Sequence, residues 1–196
     1  MRPSQLTEAL TALIPARRPI MVWGPPGVGK SMVVAQACDS LDMAVRDVRA
    51  GLMDPVDVNG LPSVKSGRVS WCPPDFWPLK GSKTGGAGVV FLDELPQAPP
   101  ATQAALLQAV LDHRIGQNDL DPGWSFVAAG NRQEDRAGAN RLITPLLNRF
   151  IHLEMEVSVD DWGAWAVKAG ICPEVRSYIR YRPSHLHQFD PTSGAK

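Results

Sequence analysis

A chain of 196 residues holds one domain with a sizeable core, or one domain and part of a second, which excludes two full domains. Lys and Arg together number 20, as do Asp and Glu, so no net field draws the molecule to nucleic acid or anionic lipid. Cys38, Cys72 and Cys172 are far apart and never in a CxxC spacing, which argues against a disulfide framework or a zinc site and for a reducing, cytoplasmic compartment.

Leu6, Leu10, Leu13 and Ile14 recur at helical spacing with Glu8 between them, so the N-terminus is predicted as an amphipathic helix over about residues 4–14, not a signal peptide. No stretch reaches the roughly 20 apolar residues that span a bilayer, and no membrane partner is expected. Ile20-Met21-Val22-Trp23 reads as a buried strand. A helix is expected from near Gly29 to about Leu41, then a strand over Met43–Val48. Within the Pro- and Gly-rich stretch 54–81, Leu61–Val64 and Arg68–Trp71 flank Lys65-Ser66-Gly67 as a hairpin would. After the flexible Gly81–Gly86 comes the apolar run Val89–Leu92, suited to a central parallel strand. Pro99-Pro100 opens a helix whose predicted apolar stripe is Leu106, Leu107, Val110 and Leu111, and Ser125–Ala129 makes another buried strand. The alternation of strand and helix predicts a three-layer α/β sandwich. A composition shift places a boundary near Ser158, dividing 1–157 from 158–196.

Gly24-Pro25-Pro26-Gly27-Val28-Gly29-Lys30-Ser31 fits GxxxxGKS between a predicted strand and a predicted helix, the context that a phosphate loop requires. Backbone N–H groups can wrap a phosphate where side chains are absent, and the helix start adds its positive end. Lys30 would neutralise β and γ oxygens and the Ser31 hydroxyl would ligate Mg²⁺. The candidate nucleotide contacts are the loop residues and Met32, the first turn of the helix. Val89-Val90-Phe91-Leu92-Asp93-Glu94 is an apolar strand ending in two carboxylates. Asp93 would hold the magnesium shell and Glu94 would activate water. Alone, such a pair also reads as strand-end acids in solvent. Asn131 emerges where the strand Ser125–Ala129 ends, at the sheet edge where ligands bind, and can hold the attacking water. Arg141 and Arg149 follow, the latter at an apolar helix end that would fix its guanidinium; each also reads as a surface salt bridge. No NKxD and no LSGGQ stretch is present, which disfavours GTPases and transporter-type ATPases.

Taken together, GPPGVGKS, VVFLDE, APPATQAALLQAV, AAGNR and LLNRF, in order from Ile20 to Leu153, resemble an AAA+ ATPase of the MoxR type, related to the dynein-like and midasin group. The resemblance implies a three-layer αβα P-loop NTPase sandwich with a parallel central sheet, and an incomplete helical lid begun by 158–196. It implies ATP and Mg²⁺ as cofactors and a hexameric ring in which ATP sits between copies of this chain. Lys30 and Ser31 become Walker A, Asp93 and Glu94 Walker B, Asn131 sensor 1, and Arg149 the finger reaching the neighbour's γ-phosphate. The segments 61–71 and 114–124 resemble hairpin insertions that face the ring's pore. Arg180 and Arg182 lack a recognisable second-sensor context. The activity implied is hydrolysis coupled to remodelling of a protein partner, typically one carrying a von Willebrand A domain, with the client unspecified. A nucleotide-binding assembly module with little turnover is the alternative; a DNA-directed motor has only the motor core in its favour.

Other signals carry less. His185 and His187 read as exposed tail histidines without a metal partner. Trp71, Phe76 and Trp77, set among prolines, are expected to pack a loop to the core rather than grip a substrate. Trp162 and Trp165 would share one helix face, and Glu134 and Asp135 interrupt arginines 132, 136, 141 and 149, which fits a subunit interface better than nucleic acid.

Overall fold

The computed structural model describes residues 1–82, 86–132 and 141–189, with Lys65 by its backbone alone. In chain order the elements are α1 (Pro3–Leu13), β1 (Ile20–Trp23), α2 (Lys30–Ser40), β2 (Ala44–Arg49), α3 (Pro55–Asn59), β3 (Leu61–Lys65), β4 (Arg68–Cys72), β5 (Gly88–Asp93), α4 (Pro100–Asp112), β6 (Arg114–Ile115), β7 (Asn118–Asp119), β8 (Trp124–Gly130), α5 (Thr144–Leu147), β9 (Ile151–Glu154), α6 (Val159–Lys168) and α7 (Pro173–Tyr181).

Five strands form one wholly parallel sheet in the order β2-β5-β8-β1-β9. A parallel sheet is covered on both faces, and the alternation along its strands shows this. Ile20, Val22, Val89, Phe91, Val127 and Ala129 face α1 and α2, where Leu6, Leu10, Val33, Val34 and Ala37 complete one core. Met21, Val90, Leu92, Phe126 and Ala128 face the other way, onto Leu106, Val110 and Trp77. The Ser125 hydroxyl donates to the Ile14 carbonyl across 2.9 Å and ties the end of α1 to the central strand. The three-layer sandwich expected from the alternation of elements is the observed fold.

β3 and β4 pair antiparallel as the predicted hairpin, Val64 opposite Val69. The second predicted hairpin is shorter than 114–124. Its strands are two residues each, and Trp124 instead opens β8, 1% exposed. The buried stripe of α4 also differs from expectation. Leu111 is exposed, whereas Thr102 and Gln103 are fully buried, each with its polar atoms bonded. Trp77 and Phe76 pack as expected, the Trp77 indole donating to the Val58 carbonyl at 2.8 Å, while Trp71 stays on the exposed hairpin. Ser158 caps α6 by accepting from Asp161 N, and Asp161 in turn accepts from Ser4 N at 2.7 Å, joining α6 to α1. Trp162 and Trp165 lie half-buried on α6. Among the described residues no helix is long and apolar enough to cross a membrane.

Candidate nucleotide site

In this strand order β1 lies between β8 and β9, and the chain leaves its C-terminal end into the Gly24–Gly29 loop and α2. Crevices of this kind, at the carboxyl ends of parallel strands, are where α/β sheets bind ligands. Gly27 and Gly29 have φ of 73° and 96°, a left-handed backbone that side chains disfavour, so the turn delivers the chain onto α2 with its amides uncovered. Lys30 is the first residue of that helix and is 9% exposed. Its ammonium donates to the carbonyls of Gly24 and Pro25 and to Asn131 Oδ1, each at 2.9 Å. A buried cation needs such acceptors, and these same groups surround the place where a phosphate would meet the loop.

The Ser31 hydroxyl donates to Asp93 Oδ2 at 3.2 Å, and the other Asp93 oxygen accepts from the Glu94 amide at 2.9 Å. Glu94 has φ of 55°, a left-handed conformation uncommon for a non-glycine residue and of the kind that clusters at functional sites. The turn at Glu94 ends β5 and starts a short 3₁₀ segment, Leu95–Gln97. On β2, Asp47 is pushed above the usual carboxylate value, first by burial and then by the charge of Asp93, with Arg49 opposing. An oxygen pair such as Ser31 and Asp93 suits magnesium, which is held by one or two carboxylates together with phosphate oxygens and water rather than by a protein cage. Among the described residues no three or more His, Cys, Asp or Glu side chains converge as such a cage.

These groups meet in one cleft of about 300 Å³ that Lys30, Ser31, Asp93, Glu94 and Asn131 line together with Pro26, Gly27, Gly29 and Met32. Gly24, Pro25 and Val28 shape the loop from behind; Gly24 is buried, and Val28 packs on the α1–α2 core. Arg149 lies outside the cleft. It follows α5, a single turn that ends in Leu146 and Leu147 with Leu146 buried, and its side chain is exposed. Its backbone is fixed, Arg149 N donating to Leu146 O at 3.0 Å with Phe150 buried beside it. Arg141 is exposed as well, and among the described residues neither arginine is in a salt bridge; the ion pairs there are the N-terminus with Glu156 and Arg114 with Asp119. Glu134, Asp135 and Arg136, and Thr84 and Gly85, lie outside the described residues.

Two features were not legible beforehand. His187, expected in an exposed tail, is half-buried with Nε2 2.9 Å from the Pro26 carbonyl, so the segment after α7 touches the phosphate loop. Gln103 is buried under the segment leading to α5. It donates to the Ala98 carbonyl at 3.0 Å and accepts from Ile143 N at 2.9 Å. Its place on the helix, one turn before Leu106 and two before Val110, was the available signal. His185 is exposed and bonds the Tyr178 hydroxyl at 2.6 Å.

Residues 19–150 match the AAA domain family of the dynein-related subfamily, two thirds of the chain. The chain belongs to that AAA family. Membership agrees with the fold and with a phosphate loop facing two strand-end carboxylates, and it places the protein among the AAA ATPases. No curated protein matches the sequence. Solved structures with the same fold include NtrX from Brucella abortus in complex with ADP, 18% identical, TM-score 0.55, covering 87% of this chain and 41% of that one. RuvB from Thermotoga maritima, as its P216G mutant, is 22% identical with a TM-score of 0.52, covering 82% of this chain and 46% of its own. A Cytophaga hutchinsonii protein described as a candidate ATPase is 18% identical with a TM-score of 0.58, covering 87% and 51%. At these identities the likeness shows the fold alone. The AAA chain described here spans about half, or less, of the length of these neighbours.

Proposed function

We propose that this AAA chain is a Mg²⁺-dependent ATPase of the MoxR type that couples hydrolysis to the remodelling of a protein partner. The observation that carries the reading is the pair of bonds joining the loop to two strand ends, Ser31 to Asp93 and Lys30 to Asn131. A phosphate on the loop amides would sit beside all four groups. Magnesium, held by Ser31 and Asp93, would supply charge neutralisation between phosphate oxygens. Glu94 would take the proton of an attacking water that Asn131 orients.

Arg149, exposed and clear of its own cleft, is available to a neighbouring copy; a ring, in our reading a hexamer, would bring it to the neighbour's γ-phosphate. The β3–β4 hairpin would then face the pore. A partner with a von Willebrand A domain, from resemblance to the MoxR group, and a cytoplasmic setting, from the scattered cysteines, complete the proposal.

Turnover of the wild type and Glu94→Gln, measured alongside sedimentation in ATP, tests this. Magnesium-dependent turnover abolished by the substitution supports the motor. Tight nucleotide binding without turnover in any assembly state would sink it and leave an assembly module that uses ATP as a structural ligand.

A further inference from the structure

Trp23 closes β1 directly before the phosphate loop, and His152 lies on the neighbouring β9, where Met21 pairs with His152 and Trp23 with Glu154. The Trp23 indole donates to His152 Nδ1 across 2.8 Å, and the two rings lie 12° from parallel with centroids 6.0 Å apart, as an in-plane N–H bond requires. On its far side His152 Nε2 lies 2.7 Å from the carbonyl of Leu147. An indole nitrogen can only donate and a carbonyl can only accept. Both contacts therefore demand the same neutral imidazole, bare at Nδ1 and protonated at Nε2, donating to Leu147.

Leu147 ends α5, two residues before Arg149. The chain between them has little freedom: Leu147 N donates to Ile143 O and Arg149 N to Leu146 O, each at 3.0 Å, and Phe150 is 6% exposed. Whatever holds the Leu147 carbonyl therefore holds the base of the Arg149 side chain. At the other end, Trp23 is fixed in the sheet, its carbonyl accepting from Met155 N at 2.7 Å, and its next residue is Gly24, whose carbonyl Lys30 engages.

We propose that His152 is a positioning residue: the strut Trp23–His152–Leu147 sets the Arg149 segment at a fixed place relative to the phosphate loop of the same subunit. The proposal rests on the reading of Arg149 as the residue offered to a neighbouring site. Neither phosphate binding nor water activation calls for an indole before Gly24 or an imidazole on β9, and His152 is exposed, so burial does not account for the pair. The two bonds compete with water and add little to stability, so their effect falls on geometry. A misplaced catalytic group costs rate without loss of binding.

The test is Mg-ATP turnover of the full chain, with nucleotide affinity and thermal midpoint, for His152→Ala, His152→Gln, Trp23→Phe, Arg149→Ala and the double variant His152→Ala with Arg149→Ala. His152→Ala should lower kcat about tenfold with KM within about twofold. Glutamine can accept from Trp23 and donate to Leu147, so His152→Gln should recover most of the rate. Trp23→Phe keeps a ring but no donor and should fall between. In the Arg149→Ala background His152→Ala should cost nothing more. Wild-type kcat in His152→Ala, a Gln variant no better than Ala, or full additivity in the double variant would overturn the strut. Loss in Arg149→Ala without loss in His152→Ala overturns the strut alone; wild-type turnover in Arg149→Ala overturns the reading of Arg149 and the strut with it.

Discussion

The hydroxyl of Ser31, on the first turn of α2, donates to Asp93 at the end of β5 across 3.2 Å, so the helix that follows the phosphate loop and the strand that bears the acids share one hydrogen bond. Replacing either partner should weaken nucleotide binding only when magnesium is present. Ser31→Ala is expected to lose about tenfold or more in Mg-ATP affinity, with ADP binding in EDTA changed little. Titration calorimetry with and without magnesium separates the two; equal losses in both conditions would argue that Ser31 shapes the loop rather than the ion's shell.

Asn131→Ala removes a side chain that holds Lys30 and faces the cleft. Turnover should drop about a hundredfold. Affinity should change far less, because the loop carbonyls still engage the ammonium. A large loss of affinity in equilibrium binding would instead make Asn131 a support for Lys30.

Glu94 sits at φ 55°, where a side chain costs about 1 kcal/mol relative to glycine. Glu94→Gly should therefore abolish turnover while raising the thermal midpoint by about 2–4 °C. A midpoint that falls would show that the carboxylate stabilises the turn more than its conformation strains it.

A methyl group at Gly130 would meet Pro96 Cγ at 2.4 Å and Met21 Cε at 2.8 Å inside the core. Gly130→Ala should cost about 1–3 kcal/mol, read by denaturant unfolding. Unchanged stability would mean that the Leu95–Gln97 turn yields freely.

Burial pushes the Cys38 thiol up to about 11, with Asp39 adding to the shift, whereas Cys72 and Cys172 are exposed. The raised value favours the protonated thiol in the folded state. At pH 8 the folded Cys38 is then about one part in a thousand thiolate. Alkylation at pH 8 should label two thiols in the native protein and a third only on unfolding, counted by mass. Rapid labelling of three in the native state would place Cys38 in an open environment.

The neighbours in the cleft differ in how far they could be read from the chain. The loop Gly24–Ser31, the run Val89–Glu94 and the helix behind each are local patterns, in which residues a few positions apart carry both the structure and the chemistry. Leu111 was misassigned because helical spacing shows two adjacent faces equally well, and the choice fell to Gln103, whose amide has bonding partners at Ala98 and Ile143. The hairpin after α4 is shorter than expected because Trp124 pairs with Gly88 in the sheet.

What the sequence by itself determined is the phosphate loop, its flanking strand and helix, and the parallel α/β class, since period and glycine placement are short-range properties. Tertiary structure alone decided which distant groups meet. Lys30 and Asn131 lie 101 residues apart and Trp23 and His152 129 apart, and the crossovers of the sheet bring each pair together. The left-handed turn at Glu94, the reach of His187 to Pro26 and the neutral tautomer of His152 follow from partners that adjacency in sequence does not specify. A side chain's protonation and orientation are set by what surrounds it in space, and that becomes readable once the chain has closed.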